Sequence, residues 1–106
     1  MKKDLQISNF NKIIHFFQDN IEEIIESCPA IIRPIMPSSI FSSEQIEAMH
    51  LINRNFFCFA IRFNIIIKNN MNIKFEERSF RIIRIINVNE DNRFLQIFAE
   101  EELAHA

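Results

Sequence analysis

The side chains best able to do chemistry in this sequence are its histidines, cysteines and serines, and their spacing argues against catalysis. His15, His50 and His105 are far apart and form no HxxxH or HExxH arrangement. A metal site needs ligands gathered by a helix face or a tight turn, so these read as surface or core histidines. Cys28 and Cys58 make no CxxC pair. One disulfide between them is an alternative, but reduced buried thiols fit better. Cys58 sits within an apolar run and has no identifiable His–Asp partner, a poor setting for a nucleophile. Ser38-Ser39 and Ser42-Ser43 lack a GxSxG elbow and read as loop and helix cap. No pair of carboxylates stands out. No catalytic residue, metal or cofactor is therefore assigned, and the chain reads as a non-enzyme.

The remaining candidates suit contact rather than reaction. Glu22, Glu23 and Glu26 form a solvated face, or one side of an interface with a basic neighbour. Arg81 and Arg84 flank apolar positions, and Glu100, Glu101 and Glu102 begin an acidic ending. These charges make surface pairs worth ~0–1 kcal/mol each, or they pair between subunits. Met36, Pro37, Ser38, Ser39, Ile40 and Phe41 form a candidate interaction loop. Its tip, Ile40-Phe41, either folds back on the domain or projects toward a partner.

The elements that hold these residues follow from periodicity. At 106 residues the chain fits one domain, read as an arm over 1–10, a folded unit over 11–99 and an acidic tail over 100–106. Its net charge is −2, which disfavours gripping of nucleic-acid phosphates as the main task. Lys2 and Lys3 are followed by no apolar stretch, so no signal peptide is expected. Phe56 to Ile61 is the longest apolar run, too short to span a bilayer. Glycine is absent while phenylalanine occurs 12 times, a bias that fits codons rich in A and T. Turns needing positive φ must then use Asn or accept strain.

Lys12 to Phe17 reads as a first strand. Ile21 to Cys28 is ambiguous: Ile21, Ile24 and Ile25 have helical spacing behind an Asp19 or Asn20 cap, yet an irregular strand is favoured. Pro29, Pro34 and Pro37 mark a strand edge running into a loop. Ser42 or Ser43 caps a short helix, expected to end near Asn53 with Asn55 as its left-handed stop. Alternation predicts a long strand over Phe57 to Ile67, a turn at Lys68-Asn69-Asn70, a strand over Met71 to Phe75 and a turn at Glu76-Glu77-Arg78. Phe80 to Val88 is another strand, whose alternation breaks at Ile82-Ile83 and Ile85-Ile86, through a bulge or burial on both faces. Asn87 to Arg93 is a loop and Phe94 to Ala99 the last strand. The pattern implies a mainly β fold: a small antiparallel β-barrel of about five or six strands, with one short helix and a long loop.

One succession is more specific. Ala30, Ile32 and Pro34 are followed by Glu44 and Ala48, then Arg62-Phe63, Met71-Asn72-Ile73, Phe75, Glu77-Arg78 and Phe80-Arg81-Ile82. Asn87, Leu95, Ile97 and Glu100-Glu101 complete it. Over roughly residues 10 to 102 this resembles the head-tail joining proteins of tailed bacteriophages, also called head-tail adaptors, stoppers or head completion proteins. The resemblance makes Arg62, Phe63, Met71, Ile73, Phe75, Phe80 and Ile82 the family-motif positions. Asn72 stands where the family usually has Arg, and Glu77 where it has Gly.

The resemblance implies a structural virion protein of a phage, prophage or gene transfer agent, assembled in the bacterial cytoplasm and located at the head-tail junction. It implies a ring of copies in the assembled particle, leaving open a monomeric state of the free protein, around double-stranded DNA passing without sequence-specific binding. It implies a portal or adaptor protein on one side, a tail terminator or tube protein on the other, and no membrane. In such a ring, Arg81 and Arg84 of one copy would meet Glu100, Glu101 and Glu102 of the next. A small OB-like nucleic-acid-binding barrel is the alternative, and it requires exposed aromatics in a basic groove.

Overall fold

The alternating residues of the sequence become the inward rows of six strands. The computed structural model describes residues 10–18 and 21–103. These form β1 (Lys12–Gln18), β2 (Ile24–Ile35), a 3-10 turn (Pro37–Ser39), α1 (Ser43–Ala48), β3 (Phe56–Arg62), β4 (Met71–Phe75), β5 (Arg78–Asn87), a second 3-10 turn (Val88–Glu90) and β6 (Phe94–Glu102). The strands close into an antiparallel barrel in the order β1-β2-β3-β6-β5-β4. The sequence-derived fold class is therefore the one observed.

The closure is steep. A cross-strand row starting at Ile24 of β2 runs through Phe17, Asn72, Arg81, Glu100 and Phe56 and returns to β2 at Ile35, eleven residues further along. Such an offset over six strands requires strongly tilted strands. It also accounts for the length of β2. Residues 24–30 pair with β1 alone, and residues 31–35 with β3 alone. The expectation that the prolines end a strand is corrected here: Pro29 and Pro34 lie inside the 12-residue β2. Each sits in a half that is paired on one side only, where a missing N–H leaves no neighbour unserved. The helical alternative for 21–28 does not form, and its candidate caps, Asp19 and Asn20, lie outside the described residues.

Phe80 is the centre of the interior. Its ring meets Phe59 at 4.8 Å and Phe57 at 5.4 Å, both near edge-to-face. Such pairs add about 0.5–1.5 kcal/mol each beyond their burial. Around it pack the fully buried Ile14, Phe16, Ile61, Ile73 and Ile97. On β5 a bulge falls between Ile82 and Arg84. Ile82 is buried, Ile83 is the extra residue, and Ile85 pairs with Ile97. The bulge thus resets the alternation, so the second apparent break at Ile85-Ile86 is ordinary in-out order in the new phase.

Other boundaries move for local reasons. The strand expected to reach Ile67 stops at Arg62. The Asn64 side chain accepts from the Ile66 N–H at 2.9 Å and its carbonyl from the Ile67 N–H at 3.2 Å, a side-chain turn that competes with the ladder. Ile65 and Ile66 are consequently exposed. The helix is capped by Ser42 in a reciprocal capping box with Gln45. It ends at Ala48, not near Asn53. Leu51 N–H bonds to the Ile46 carbonyl and His50 N–H to that of Glu47, a Schellman ending that places His50, not Asn55, at φ 54°. Positive φ is also taken by Glu76, Asn89, Glu90 and Asn92, so only some of these turns use Asn. Asn69 and Asn70 do not have positive φ: the Met71 N–H closes their turn onto the Lys68 carbonyl. Residues 1–9 of the expected arm and 104–106 of the expected tail lie outside the described residues. Phe10 is buried, 5.9 Å from the Phe94 ring. Glu100, Glu101 and Glu102 extend β6 instead of following it.

Candidate functional site

The charged residues gather where β6 emerges beside β5 and the segment after α1. Along β6 the inward row is Leu95, Ile97 and Ala99, which leaves Phe98 and Glu100 on the outer face. Register brings Glu100 opposite Arg81 of β5. The segment after α1 brings Arg54 to the same carboxylate. Arg54 donates through Nε and Nη2 at 2.5 and 2.6 Å, and Arg81 donates through Nη2 at 2.8 Å. The side chain of Glu100 is 13% exposed, against 37% for Arg54 and 53% for Arg81. The hydrogen bonds from Arg54, with the charges of both arginines, hold the Glu100 carboxyl below its ordinary value in spite of its burial. The same contact holds Arg54 further up.

This hub fastens a strap over the barrel. Residues 36–55 join β2 to β3 across the outer face, with Leu51 of this segment and Phe56 at the start of β3 both buried. Phe41 lies half-buried with its ring 5.4 Å from Phe56. The tip of the candidate loop thus folds back through Phe41, with Ile40 half-buried, while Met36 stays exposed at the loop entrance. Neither Pro37, Ser38 nor Ser39 is buried.

A second pair closes one mouth of the barrel. Arg78 donates to Glu101 at 3.0 and 3.1 Å, and its guanidinium lies 5.0 and 5.2 Å from the Phe57 and Phe80 rings. The hydrogen bond to Glu101 raises the Arg78 pKa further. Cation–π contact and a bidentate pair make this lid a fixed part of the core edge.

Of the charges proposed to meet between subunits, Arg81 and Glu100 pair with each other, and Glu101 pairs with Arg78, within one chain. Arg84 and Glu102 remain exposed. Glu102 edges a shallow groove with Phe17, Ile21, Glu22, Ile24 and Lys74. Among the described residues Arg33, Arg62 and Arg84 make no ion pair, and all are exposed. Arg54 was not singled out in the sequence, and Arg78 entered only as a turn position of the resemblance, not as the partner of an acidic residue. Arg78 opens β5, whose register could have suggested an acidic neighbour, but the reach of Arg54 to β6 has no local signal.

Six family-motif positions build the interior or pack on it: Phe63, Met71, Ile73, Phe75, Phe80 and Ile82. Arg62 ends β3, exposed. The cysteines are free thiols, and Cys58 is buried. Burial, helped by the charge of Glu26, pushes the Cys28 thiol up to about 11, and burial also raises Cys58. Neither is poised as a nucleophile at neutral pH. His15 Nδ1 lies 2.7 Å from Ser27 Oγ, His50 is exposed after α1, and His105 lies outside the described residues. Among the described residues no three His, Cys, Asp or Glu side chains are grouped to hold a metal ion, and no helix is long and apolar enough to cross a membrane.

Fold and surface together define a small closed barrel whose polar residues brace its exterior. The chain matches the model of the phage head completion protein family over residues 16–102, nearly the whole barrel, and belongs to that family. It is thus a structural protein associated with the phage head. No curated protein matches the chain.

Proposed function

We infer that this protein completes the DNA-filled head on its portal side and joins it to the tail. The observation that carries this reading is the family match across 16–102, which begins inside β1 and ends with β6. Copies assemble head-to-tail into a ring around the channel, and heterologous contacts whose rotation closes produce such a ring. The ring presents a portal or adaptor protein with one surface and the tail terminator or tube with the other. Double-stranded DNA passes through it, and a chain of net charge −2 lets phosphates slide. The OB-like alternative is disfavoured because Phe16, Phe56, Phe59 and Phe80, which would have to stack bases, are fully buried.

Deletion of the gene tests the reading. Electron microscopy of the lysate is expected to show DNA-filled heads beside separate tails. Normal tailed particles in the deletion would overturn it.

A further inference from the structure

We propose that the arginine-bearing outer face of β2, β3, β6 and β5 docks on the acidic, isoleucine-lined groove at the β1–β2 turn of a second copy. The proposal rests on the ring reading above and names the two surfaces that make the contact.

The arginine face follows from register. Arg33 of β2, Cys58 of β3, Phe98 of β6 and Arg84 of β5 occupy one cross-strand row. Phe98 is half-buried, with exposed arginines two strands to one side and one strand to the other. The β5 bulge is what turns Arg84 outward opposite Phe98. Without that extra residue, Ile83 would take the place. Exposed cations that find no carboxylate among the described residues, set around an aromatic, are suited to an acidic, partly apolar partner.

The groove has the complementary chemistry. Ile21 and Ile24 are each about half exposed, at 50% and 51%, and Phe17 lies beside them. Glu22 and Glu102 line it as well. Glu23 follows Glu22, exposed, in the same turn. Lys74 also lines the groove, where two carboxylates outweigh one ammonium. In the closed strand order β1 stands opposite β6 and β4 opposite β3. The groove draws on β1 and β4 with the ends of β2, β5 and β6, whereas the arginine row runs through Arg33, Cys58, Phe98 and Arg84, so one copy carries two distinct surfaces.

This arrangement selects the symmetry. A two-fold contact of the arginine face with itself would set Arg33 and Arg84 against the same residues of the partner, which like charge opposes. Arginine face to groove is heterologous, so each added copy leaves one surface of each kind open until the ring closes.

Charge reversal in assembled particles tests the proposal. Arg84→Glu is expected to lower the yield of tailed particles about tenfold or more, and Glu22→Arg placed with it to restore most of that yield. Thermal melting monitored by circular dichroism checks that both variants fold. A second arm uses Arg84→Cys with Glu22→Cys in a Cys28→Ser, Cys58→Ser background. Oxidised particles are expected to give a ladder of linked copies that neither single cysteine gives. Normal yield from a folded Arg84→Glu variant would overturn the proposal, as would a missing ladder in particles that join tails. If Arg84→Glu lowers yield without rescue and weakens binding to a short duplex DNA, the face meets DNA and the proposal is again overturned. Tail joining in particles that lack the protein altogether would instead overturn the ring reading itself.

Discussion

Replacing Glu100 by Gln isolates the charge that fastens the strap. Gln keeps the size and one acceptor oxygen, but it loses the charge shared by three hydrogen bonds from Arg54 and Arg81. Hydrogen bonds to a charged group contribute ~1.5–3 kcal/mol each when sheltered. Here the arginines are 37% and 53% exposed, and water competes for them. Discounted to roughly 0.5 kcal/mol per bond, the loss is about 1.5 kcal/mol. For a chain of this size that lowers the melting temperature by roughly 8 °C at neutral pH. The pH dependence separates charge from shape. The folded carboxyl titrates below its ordinary value of 4.5, so its contribution is complete above 4.5 and drains away as pH falls through the lowered value. Urea unfolding of Glu100→Gln and the parent at pH 7 and at about pH 2.5 should therefore show a gap that narrows in acid. A gap of the same size at both pH values would refute the charge argument, and no gap at pH 7 would refute the hub.

Two further substitutions probe the same strap. Leu51→Ala truncates a fully buried side chain of that segment and should cost about 2–4 kcal/mol in urea unfolding, with faster cleavage of residues 36–55 by a protease under native conditions. His50→Gly should raise stability by about 0.5 kcal/mol, since relief of left-handed strain outweighs the added freedom of the unfolded chain. A lower melting temperature for His50→Gly would show that the imidazole makes a contact the exposed position does not suggest.

The barrel was legible because its interior uses period-two alternation, as in Met71, Ile73 and Phe75. Where the alternation stumbled, at Ile82-Ile83, the sequence left a bulge and burial on both faces open, and the register decides for the bulge. Boundaries were less legible where a side chain competes with the ladder. Nothing in the apolar run up to Ile67 reveals that Asn64 folds its amide onto the backbone ahead of it. The prolines of β2 misled for a different reason. Their tolerance depends on which half of the strand faces which neighbour, a property of the closed barrel and not of the local chain. At the candidate site, Arg81 opposite Glu100 was within reach of a register argument, although the pair forms inside one chain. Arg54 was not, because 46 residues separate it from Glu100 and only the strap brings them together.

The divided pairing of β2 has a mechanical consequence. β1 and β3 do not pair with each other: residues 24–30 of β2 hold β1 by one ladder, residues 31–35 hold β3 by another, and the two ladders meet at Ala30-Ile31. Tension pulling those two strands apart would load the two hydrogen-bonded ladders in series, joined by the covalent backbone at Ala30-Ile31. Wear at this seam therefore begins in the flanking ladders and leaves the corner itself intact.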